Sequence, residues 1–481
     1  MKIFLILLLF FTCGSQTVLA DTENVVIKSD TSKVESNDVS KENTIPEEKE
    51  ESQKNDKSDE KVLKLNPVQI INLAKKLIEE KKYDAAMVFL TKSPFNVREL
   101  EIERLHLIAS IYIAEGKLDD AIEIYRFILD YQPNIPSIRL KLAELYLMQG
   151  SYYKADYHFR LAATDKNLPE EVQKNIAMAL YFVRQNKNWN FWFNFGAAPD
   201  NNVNNATGGE QCINYYGLIL CNQLADKEKA VGFNVAFGGN YELKLSDRWR
   251  LRNEAVIYNS TYNKSEYDDL YLSYVLGPKY VWGRGEVFTG LTMSRRWLDH
   301  QPYNKTLGGR VDLDYDITKH LSAALSTYFT PTYYDDYHNL LDGDVYGVRA
   351  RLFYTFDASK YLAFKFGFEK ENTEEKMYAN NKKSYGIGFG VELPYGFSMY
   401  VEPSILFTDY KDERPVVKDY SYVYIKEADI TRKYMLNLSN RNIKFWGFVP
   451  TLTYTYTDKS SNIWQKEYAK STVEFTVNQR F

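Results

Sequence analysis

Residues 361–370 read Tyr-Leu-Ala-Phe-Lys-Phe-Gly-Phe-Glu-Lys, and this run predicts the architecture of most of the chain. Its even positions hold Leu362, Phe364, Phe366 and Phe368, and its odd positions hold Ala363, Lys365, Gly367 and Glu369. Alternation with a period of two predicts a β-strand with different surroundings on its two faces. A wholly apolar face opposite a small or charged one is typical of a membrane strand between lipid and a wet lumen. Soluble β-sandwiches do not show this pattern.

The same alternation recurs from Trp189 to the end of the chain and predicts about fourteen strands. They lie near 189–197, 231–241, 249–259, 268–277, 285–297, 307–317, 321–330, 345–356, 360–371, 383–393, 396–408, 432–440, 445–457 and 469–481. An even number of strands suits a closed barrel, and lipid requires closure because unpaired edge groups are costly there. Tyr and Trp near strand ends, such as Trp249, Trp282 and Trp297, are typical of interfacial girdles. We expect residues 409–430 to hold either a long loop or one extra short strand.

The composition agrees with a membrane barrel and excludes other classes of protein. The chain has 481 residues, 15% of them aromatic, a formal net charge of −4 and a mean hydropathy of −0.44. Beyond residue 20 there is no apolar run of about 18 residues, which excludes a protein that spans a membrane with several helices. The balanced charge gives no basic surface for nucleic acid.

Residues 66–187 show helical periodicity and an internal repeat. The matched positions are Ala109, Tyr112, Gly116, Ala121 and Tyr125 in one copy and Ala143, Tyr146, Gly150, Ala155 and Phe159 in the next. Each pair is 34 residues apart, and small residues at helix contacts with a glycine at the turn are typical of tetratricopeptide repeats. A weaker copy precedes them, and residues 170–184 predict a capping helix. The concave face either binds a peptide or protein or packs against the next domain.

The two ends of the chain predict export to the outer membrane. Residues 1–20 have one lysine, a short apolar run and a final alanine, as in a signal peptide. Lipid modification of Cys13 is a weaker alternative. Residues 21–65 predict a disordered acidic tether, since residues 21–61 hold 13 acidic and 7 basic side chains and no aromatic one. The final strand ends in Phe481, which resembles the signal recognised when outer-membrane barrels are inserted.

These patterns together predict an α+β multidomain protein. A signal peptide (1–20) and a tether (21–65) precede an α-solenoid of tetratricopeptide repeats (66–187). An antiparallel transmembrane β-barrel of about fourteen strands follows (188–481). Because an even strand count brings both barrel termini to one side, we expect the repeats to lie in the periplasm.

Cys212 and Cys221 are the two cysteines that remain after signal cleavage. In an oxidising compartment their close spacing predicts a local disulfide, which would contribute about 2–3 kcal/mol by the chain-entropy argument. A metal site is the alternative, but no His or paired carboxylate lies between them.

Several charged residues at inward strand positions are candidates for lining the lumen. They are Arg310, Asp312, Asp314, Asp316, Arg349 and Arg351. They either face an open passage or pair with one another as a plug, and pairing is the favoured interpretation. A calcium site at Asp335, Asp336, Asp342 and Asp344 is disfavoured because the loop lacks the full ligand pattern. No nucleophile signature or phosphate loop accompanies the five His, so we expect no catalytic site, cofactor or metal.

Residues 194–207 form the Asn-rich run Asn-Phe-Gly-Ala-Ala-Pro-Asp-Asn-Asn-Val-Asn-Asn-Ala-Thr. Its candidate residues are Pro199, Asp200, Asn202, Asn204 and Asn205. Asn side chains bond their own backbone in turns, so the run is either a structural turn or a substrate contact. Together with the repeats, the barrel, residues 450–456 and the terminal Phe481, this run resembles the surface lipoprotein assembly modifier (Slam) family. The resemblance covers residues 66–481.

The resemblance implies an outer-membrane protein that exports a partner protein. The cargo would be a surface lipoprotein, a secreted haem- or metal-carrier, or a host-association protein. The repeats would receive it in the periplasm, and the barrel would form the passage or docking site. The implied partners are the cargo, periplasmic chaperones, the barrel-insertion machinery and outer-membrane lipid, with no nucleic acid. The alternative is a passive porin, or a nutrient or polysaccharide channel, with the repeats as a periplasmic scaffold.

Overall fold

A computed structural model describes residues 65–92, 95–165, 167–443 and 448–480, without the side chains at 336–338 and 478–480. The predicted signal peptide, the predicted tether up to residue 64 and Phe481 lie outside the described residues.

The helices of the described chain all precede its strands. They are α1 (Pro67–Glu79), α2 (Tyr83–Thr91), α3 (Arg98–Ala114), α4 (Leu118–Tyr131), α5 (Pro136–Met148), α6 (Tyr152–Ala162) and α7 (Glu170–Asn186). Helices α1–α3 pack together as one compact unit, while α4–α7 belong with the strands to a second unit. Among the described helices, none is both long enough and apolar enough to cross a membrane.

The repeat positions form the helix contacts and turns that the sequence predicts. The four repeat alanines are fully buried: Ala109, Ala121, Ala143 and Ala155. Gly116 and Gly150 follow α3 and α5 with φ angles of +77° and +72°. The amide after each glycine donates to the carbonyl five residues earlier at 2.8 Å. Glycine ends both helices because it adopts this left-handed conformation without steric cost. The predicted helices and their glycine turns before the barrel are thereby confirmed.

Sixteen strands follow in the described part of the chain. They are β1 (Trp189–Asp200), β2 (Glu210–Tyr215), β3 (Leu218–Gln223), β4 (Ala230–Lys244), β5 (Trp249–Tyr262), β6 (Asp269–Trp282), β7 (Gly285–Leu298), β8 (Gln301–Asp316), β9 (Leu321–Tyr334), β10 (Gly343–Asp357), β11 (Lys360–Thr373), β12 (Asn380–Glu392), β13 (Phe397–Lys418), β14 (Ser421–Asn440), β15 (Val449–Ser461) and β16 (Tyr468–Arg480). All except β2 and β3 form one closed antiparallel barrel, in which β1 pairs with both β4 and β16.

The fourteen-stranded barrel is confirmed, and two details of the strand prediction are wrong. The hairpin β2–β3 was not predicted, because its six-residue strands lack a clear apolar alternation. Residues 409–430 hold neither a long loop nor an extra strand. Instead β13 and β14 continue to a tight turn at Asp419 and Tyr420, and both residues have positive φ angles there.

Successive side chains along each barrel strand point alternately to the outer face and to the lumen. On β11, Phe366 and Phe368 are 46% and 45% exposed on the outer face. Lys365, directly before Phe366, points inward, and its Nζ lies 2.5 Å from Glu402 Oε2. The apolar face therefore meets lipid and the charged face meets the lumen.

Candidate functional site: a lumen capped by helices

Helices α6 and α7 share a cavity of about 1320 Å³ with the barrel lumen. From the helices, Tyr153, Asp156, Tyr157, Arg160 and Arg184 line it. From the barrel, residues of every strand except β15 contribute to its walls. We call this space the lumen cavity, and the barrel end nearer the helices the helix end; the opposite end is the far end.

A buried ion cluster joins the helices to the barrel at the last residue of β12, Glu392. Arg139 Nη2 donates to Glu392 Oε2 at 2.6 Å, and Arg441 Nη1 lies 2.7 Å from the same oxygen. The hydroxyl of Tyr157 donates to the other carboxylate oxygen. Arg139 also donates to the carbonyl of Pro133 at 2.8 Å. We call Arg139, Tyr157, Glu392 and Arg441 the Glu392 cluster. A buried charge pair of this kind is strongly disrupted when one partner is removed.

A second cluster joins the helices to the end of β8. Arg160 Nη1 and Arg184 Nη2 each lie 2.6 Å from a different carboxylate oxygen of Asp316. At the start of β5, Arg250 is 1% exposed and donates to the carbonyl of Gln185 at 2.6 Å. Helices α5–α7 are thus attached to three separated strands, β5, β8 and β12. They form a cap over the helix end of the lumen.

The pKa values of two side chains of α6, His158 and Asp156, differ from their usual values. Burial lowers the pKa of His158 well below its usual value of 6.5, and the charge of Arg139 acts in the same direction. Burial opposes ionisation of Asp156, but Arg160 and Lys187 outweigh it and lower the pKa of that carboxyl. At neutral pH His158 is therefore neutral and Asp156 is charged.

The predicted lumen charges lie at inward positions of β8 and β10. Arg310 Nη2 lies 3.0 Å from Glu254 Oε2, and its Nε lies 2.7 Å from Asp312 Oδ2. Arg349 donates to the Tyr328 hydroxyl at 3.0 Å. Five of the predicted residues line the lumen cavity: Asp312, Asp314, Asp316, Arg349 and Arg351. The two alternatives therefore hold together: these charged side chains form ion pairs or hydrogen bonds, and they also lie on the wall of the lumen cavity. Asp316, from the same prediction, binds the helix arginines.

Sequence reasoning missed other inward charges. Lys279 Nζ lies 2.8 Å from Glu242 Oε1 and 2.9 Å from Glu286 Oε1, all on lumen-facing positions. Their inward parity along the strands is a signal that would have identified them. The Glu392 cluster has no such signal, because Arg139 and Glu392 are 253 residues apart.

The Asn-rich run lies at the far end of β1. Asn202 is 1% exposed, and its side chain exchanges two hydrogen bonds with the backbone of Ala206, at 2.9 and 3.0 Å. Asn204 reaches the segment that leads into β4: its Nδ2 donates to the carbonyl of Asp226 at 2.7 Å, and its Oδ1 accepts from the amide of Glu228 at 3.1 Å. These contacts fix the chain between β1 and β4.

The other residues of the run also have structural partners. Asp200 is 6% exposed and lies 3.2 Å from Lys470 Nζ of the closing strand β16. Pro199 lies within β1, opposite Val231 of β4. Asn205 has a φ of 51°, a conformation that Asn tolerates in turns. The geometry is that of a structural turn, and a substrate contact by the same residues stays a prediction.

Cys212 and Cys221 face each other in the hairpin β2–β3 and are joined by a disulfide. The hairpin lies at the far end, between β1 and β4. Because both sulfurs are bonded to each other, neither is a thiolate ligand for a metal ion in this state. The turn of the hairpin is open to solvent, with Tyr216 95% exposed.

Comparisons with known proteins agree with this architecture. Residues 189–481 match the sequence model of a family described as "Surface lipoprotein assembly modifier". A protein of that name from Pasteurella multocida (strain Pm70) is 24% identical over 394 residues, which cover 76% of this chain and 74% of the relative. "Surface lipoprotein assembly modifier 1" from Haemophilus influenzae (strain ATCC 51907 / DSM 11121 / KW20 / Rd) is 22% identical and covers 76% and 75%. Its namesake from Neisseria meningitidis serogroup B (strain ATCC BAA-335 / MC58) is 21% identical and covers 76% and 74%.

The closed barrel and these matches locate the chain in the outer membrane. Because β1 begins and β16 ends at the helix end, the even strand count leaves the helices on the periplasmic side. The far end of the barrel, with the Asn-rich run and the disulfide hairpin, faces the outside of the cell.

Proposed function

Since this chain belongs to the surface lipoprotein assembly modifier family, we propose that it carries a specific partner protein across the outer membrane. The cargo is a surface lipoprotein, as the names of the relatives indicate for those proteins, or a soluble haem- or metal-carrier or host-association protein. The repeats receive it in the periplasm, alone or with a chaperone, and the barrel forms the passage or the docking site. The barrel-insertion machinery is a partner during assembly. The role includes no catalytic step.

One observation carries this proposal: helices and barrel share the lumen cavity. Asp156 and Arg160 of α6 and Arg184 of α7 line the same space as Asp312 and Arg349 of the barrel. A polypeptide segment bound at these helices would face the lumen wall directly and would not have to enter lipid. Because the wall charges are largely paired, the lumen is polar and suits a hydrated chain of either net charge.

Deletion of the chain in its native host tests the proposal. The proteins on the intact cell surface and those in the periplasm are quantified in the deletion strain and in a strain complemented with the wild-type chain. We expect one or a few lipoproteins to leave the surface, to accumulate in the periplasm and to return on complementation. An unchanged surface proteome with altered uptake of a small solute would contradict export and favour a passive channel.

A further inference from the structure

Three lysines lie on neighbouring strands at the outer face of the barrel, at the last row of its apolar band and just beyond it. Lys370 of β11 follows the exposed Phe366 and Phe368 on the same face, and Lys383 of β12 precedes the exposed Tyr385. Lys411 lies towards the far end of β13, beyond Phe407. We call Lys370, Lys383 and Lys411 the outer lysine cluster. Because the far end faces outward, it sits at the level of the outer-leaflet head groups.

The strand register brings these lysines together. Phe368 of β11 pairs with Lys383, and Lys370 pairs with Asn381, so Lys370 and Lys383 are diagonal neighbours about 7–8 Å apart. Lys411 leans towards β11, because its Nζ donates to Asn372 Oδ1 at 2.5 Å and to the carbonyl of Glu371 at 3.2 Å. It therefore lies within electrostatic reach of Lys370, and the two ammonium groups repel each other.

The charge of this cluster is not neutralised by ion pairs within the described protein. Lys370 and Lys383 are exposed and form no ion pair with any described residue, and both contacts of Lys411 are neutral oxygens. The adjacent Lys382 differs, since it points inward and lies 3.0 Å from both Glu369 and Glu371.

Other cations of the outer face do have carboxylate partners. Arg295 lies 2.9 Å from Asp335, and Arg432 lies 3.2 Å from Asp458. Two carboxylates flank the outer lysine cluster, Asp344 opposite Asn372 and Asp409 opposite Asn381, and neither lies in an ion pair with a described residue. At these register positions three ammonium groups stand against two carboxylates, while Asp412 and Glu413 follow Lys411 towards the end of β13.

We infer that the outer lysine cluster binds the phosphate groups of the phosphorylated glycolipid in the outer leaflet. Exposed ammonium groups at a membrane surface attract anionic head groups, and lysine binds phosphate as a point charge. The acyl chains of the same lipid would pack on Phe366, Phe368 and Tyr385 below. The inference rests on the position of the barrel in the outer membrane, and it is independent of the exported cargo.

The test measures lipid binding to the purified full chain in detergent by native mass spectrometry. The probe is lipid A with both phosphates, compared with dephosphorylated lipid A. The variants are the triple K370Q/K383Q/K411Q and the control K305Q, which removes one exposed lysine from the outer face of β8. We expect the triple variant to bind the phosphorylated lipid at least about five-fold more weakly, and K305Q to bind it like the wild type.

Three results would overturn the inference. The triple variant binds like the wild type; dephosphorylated lipid A binds as tightly as the phosphorylated form; or millimolar inorganic phosphate displaces the lipid completely, which would assign the site to free phosphate. Heat-modifiable mobility on gels verifies that each variant is folded. If the triple variant does not fold, K370Q and K383Q are measured singly, and wild-type binding by both contradicts the site.

Discussion

Arg139 of α5 and Glu392 of β12 form an ion pair of 2.6 Å whose side chains are 1% and 9% exposed. The pair joins the last complete repeat to the rim of the barrel across 253 residues of sequence. Arg441 shares the same carboxylate, so Glu392 holds two buried guanidinium groups in place. This one carboxylate therefore connects the cap to the barrel, and its removal is the most direct way to loosen the cap.

Glu392→Gln is expected to weaken the attachment of α5 and α6 by about 3–5 kcal/mol, because Arg139 and Arg441 would remain buried without a counter-charge. Hydrogen exchange at the backbone amides of α5 and α6 measures the effect, and it should become faster. Glu371→Gln is the matched control, since Glu371 pairs with Lys382 inside the barrel. Equal protection in E392Q and the wild type would show that the cluster does not hold the cap.

A disulfide between the cap and the barrel is expected to block export reversibly. The amide of Ala358 donates to Asn134 Oδ1 at 3.2 Å, so these two residues are in direct contact and are the positions chosen for a cysteine pair. If cargo must displace the cap, oxidised N134C/A358C stops surface display, and a mild reductant restores it. The single variants N134C and A358C control for the substitutions and for reduction of the natural disulfide. Export at the wild-type rate by the cross-linked chain would mean that the cap does not move.

His158 is expected to make the helices less stable as the pH falls below about 6.5. Burial and Arg139 lower the pKa of His158 in the folded chain, whereas the unfolded chain has the usual value of 6.5. As the pH falls through 6.5, the unfolded state takes up the proton first, so the free energy of unfolding decreases by up to about 1.4 kcal/mol per pH unit. Above 6.5 this loss is absent.

Thermal unfolding, followed by circular dichroism of the helices between pH 8 and pH 5, measures this dependence. His158→Phe should flatten the decline of the melting temperature, while His300→Asn, at a site where the side chain is 71% exposed, should not. An identical decline in H158F and the wild type would rule out His158 as the cause.

Gly196→Ala is expected to disturb closure of the barrel. A Cβ at this position of β1 would lie 2.1 Å from the carbonyl oxygen of Phe475 in β16, and backbone cannot move away as a side chain can. The variant should lose the heat-modifiable mobility of the folded barrel on gels. Gly309→Ala is the control, because the nearest atom to its added Cβ is 3.9 Å away. Normal mobility of G196A would show that the seam between β1 and β16 tolerates the side chain.

The sequence by itself determined the repeats, the number of barrel strands and the face on which each strand residue lies. These features depend on local geometry: side chains alternate across a strand, and a glycine ends a helix where φ must be positive, as at Gly116 and Gly150. The hydrophobic period and the spacing of the glycines along the chain therefore predict these features directly. The sequence did not predict the hairpin β2–β3, because strands of six residues are too short to show a period.

Only the tertiary structure decided which charges pair and what covers the lumen. In the sequence, Glu392 is an ordinary polar residue at a strand end, and Asp316 is a candidate lumen charge with no sign of a helix partner. Their roles arise because barrel closure and helix packing bring Arg139, Arg160 and Arg184 to them. Likewise, the register between neighbouring strands brings the residues of the outer lysine cluster together. Contacts between distant segments depend on register and docking geometry, which the local period of a sequence does not encode.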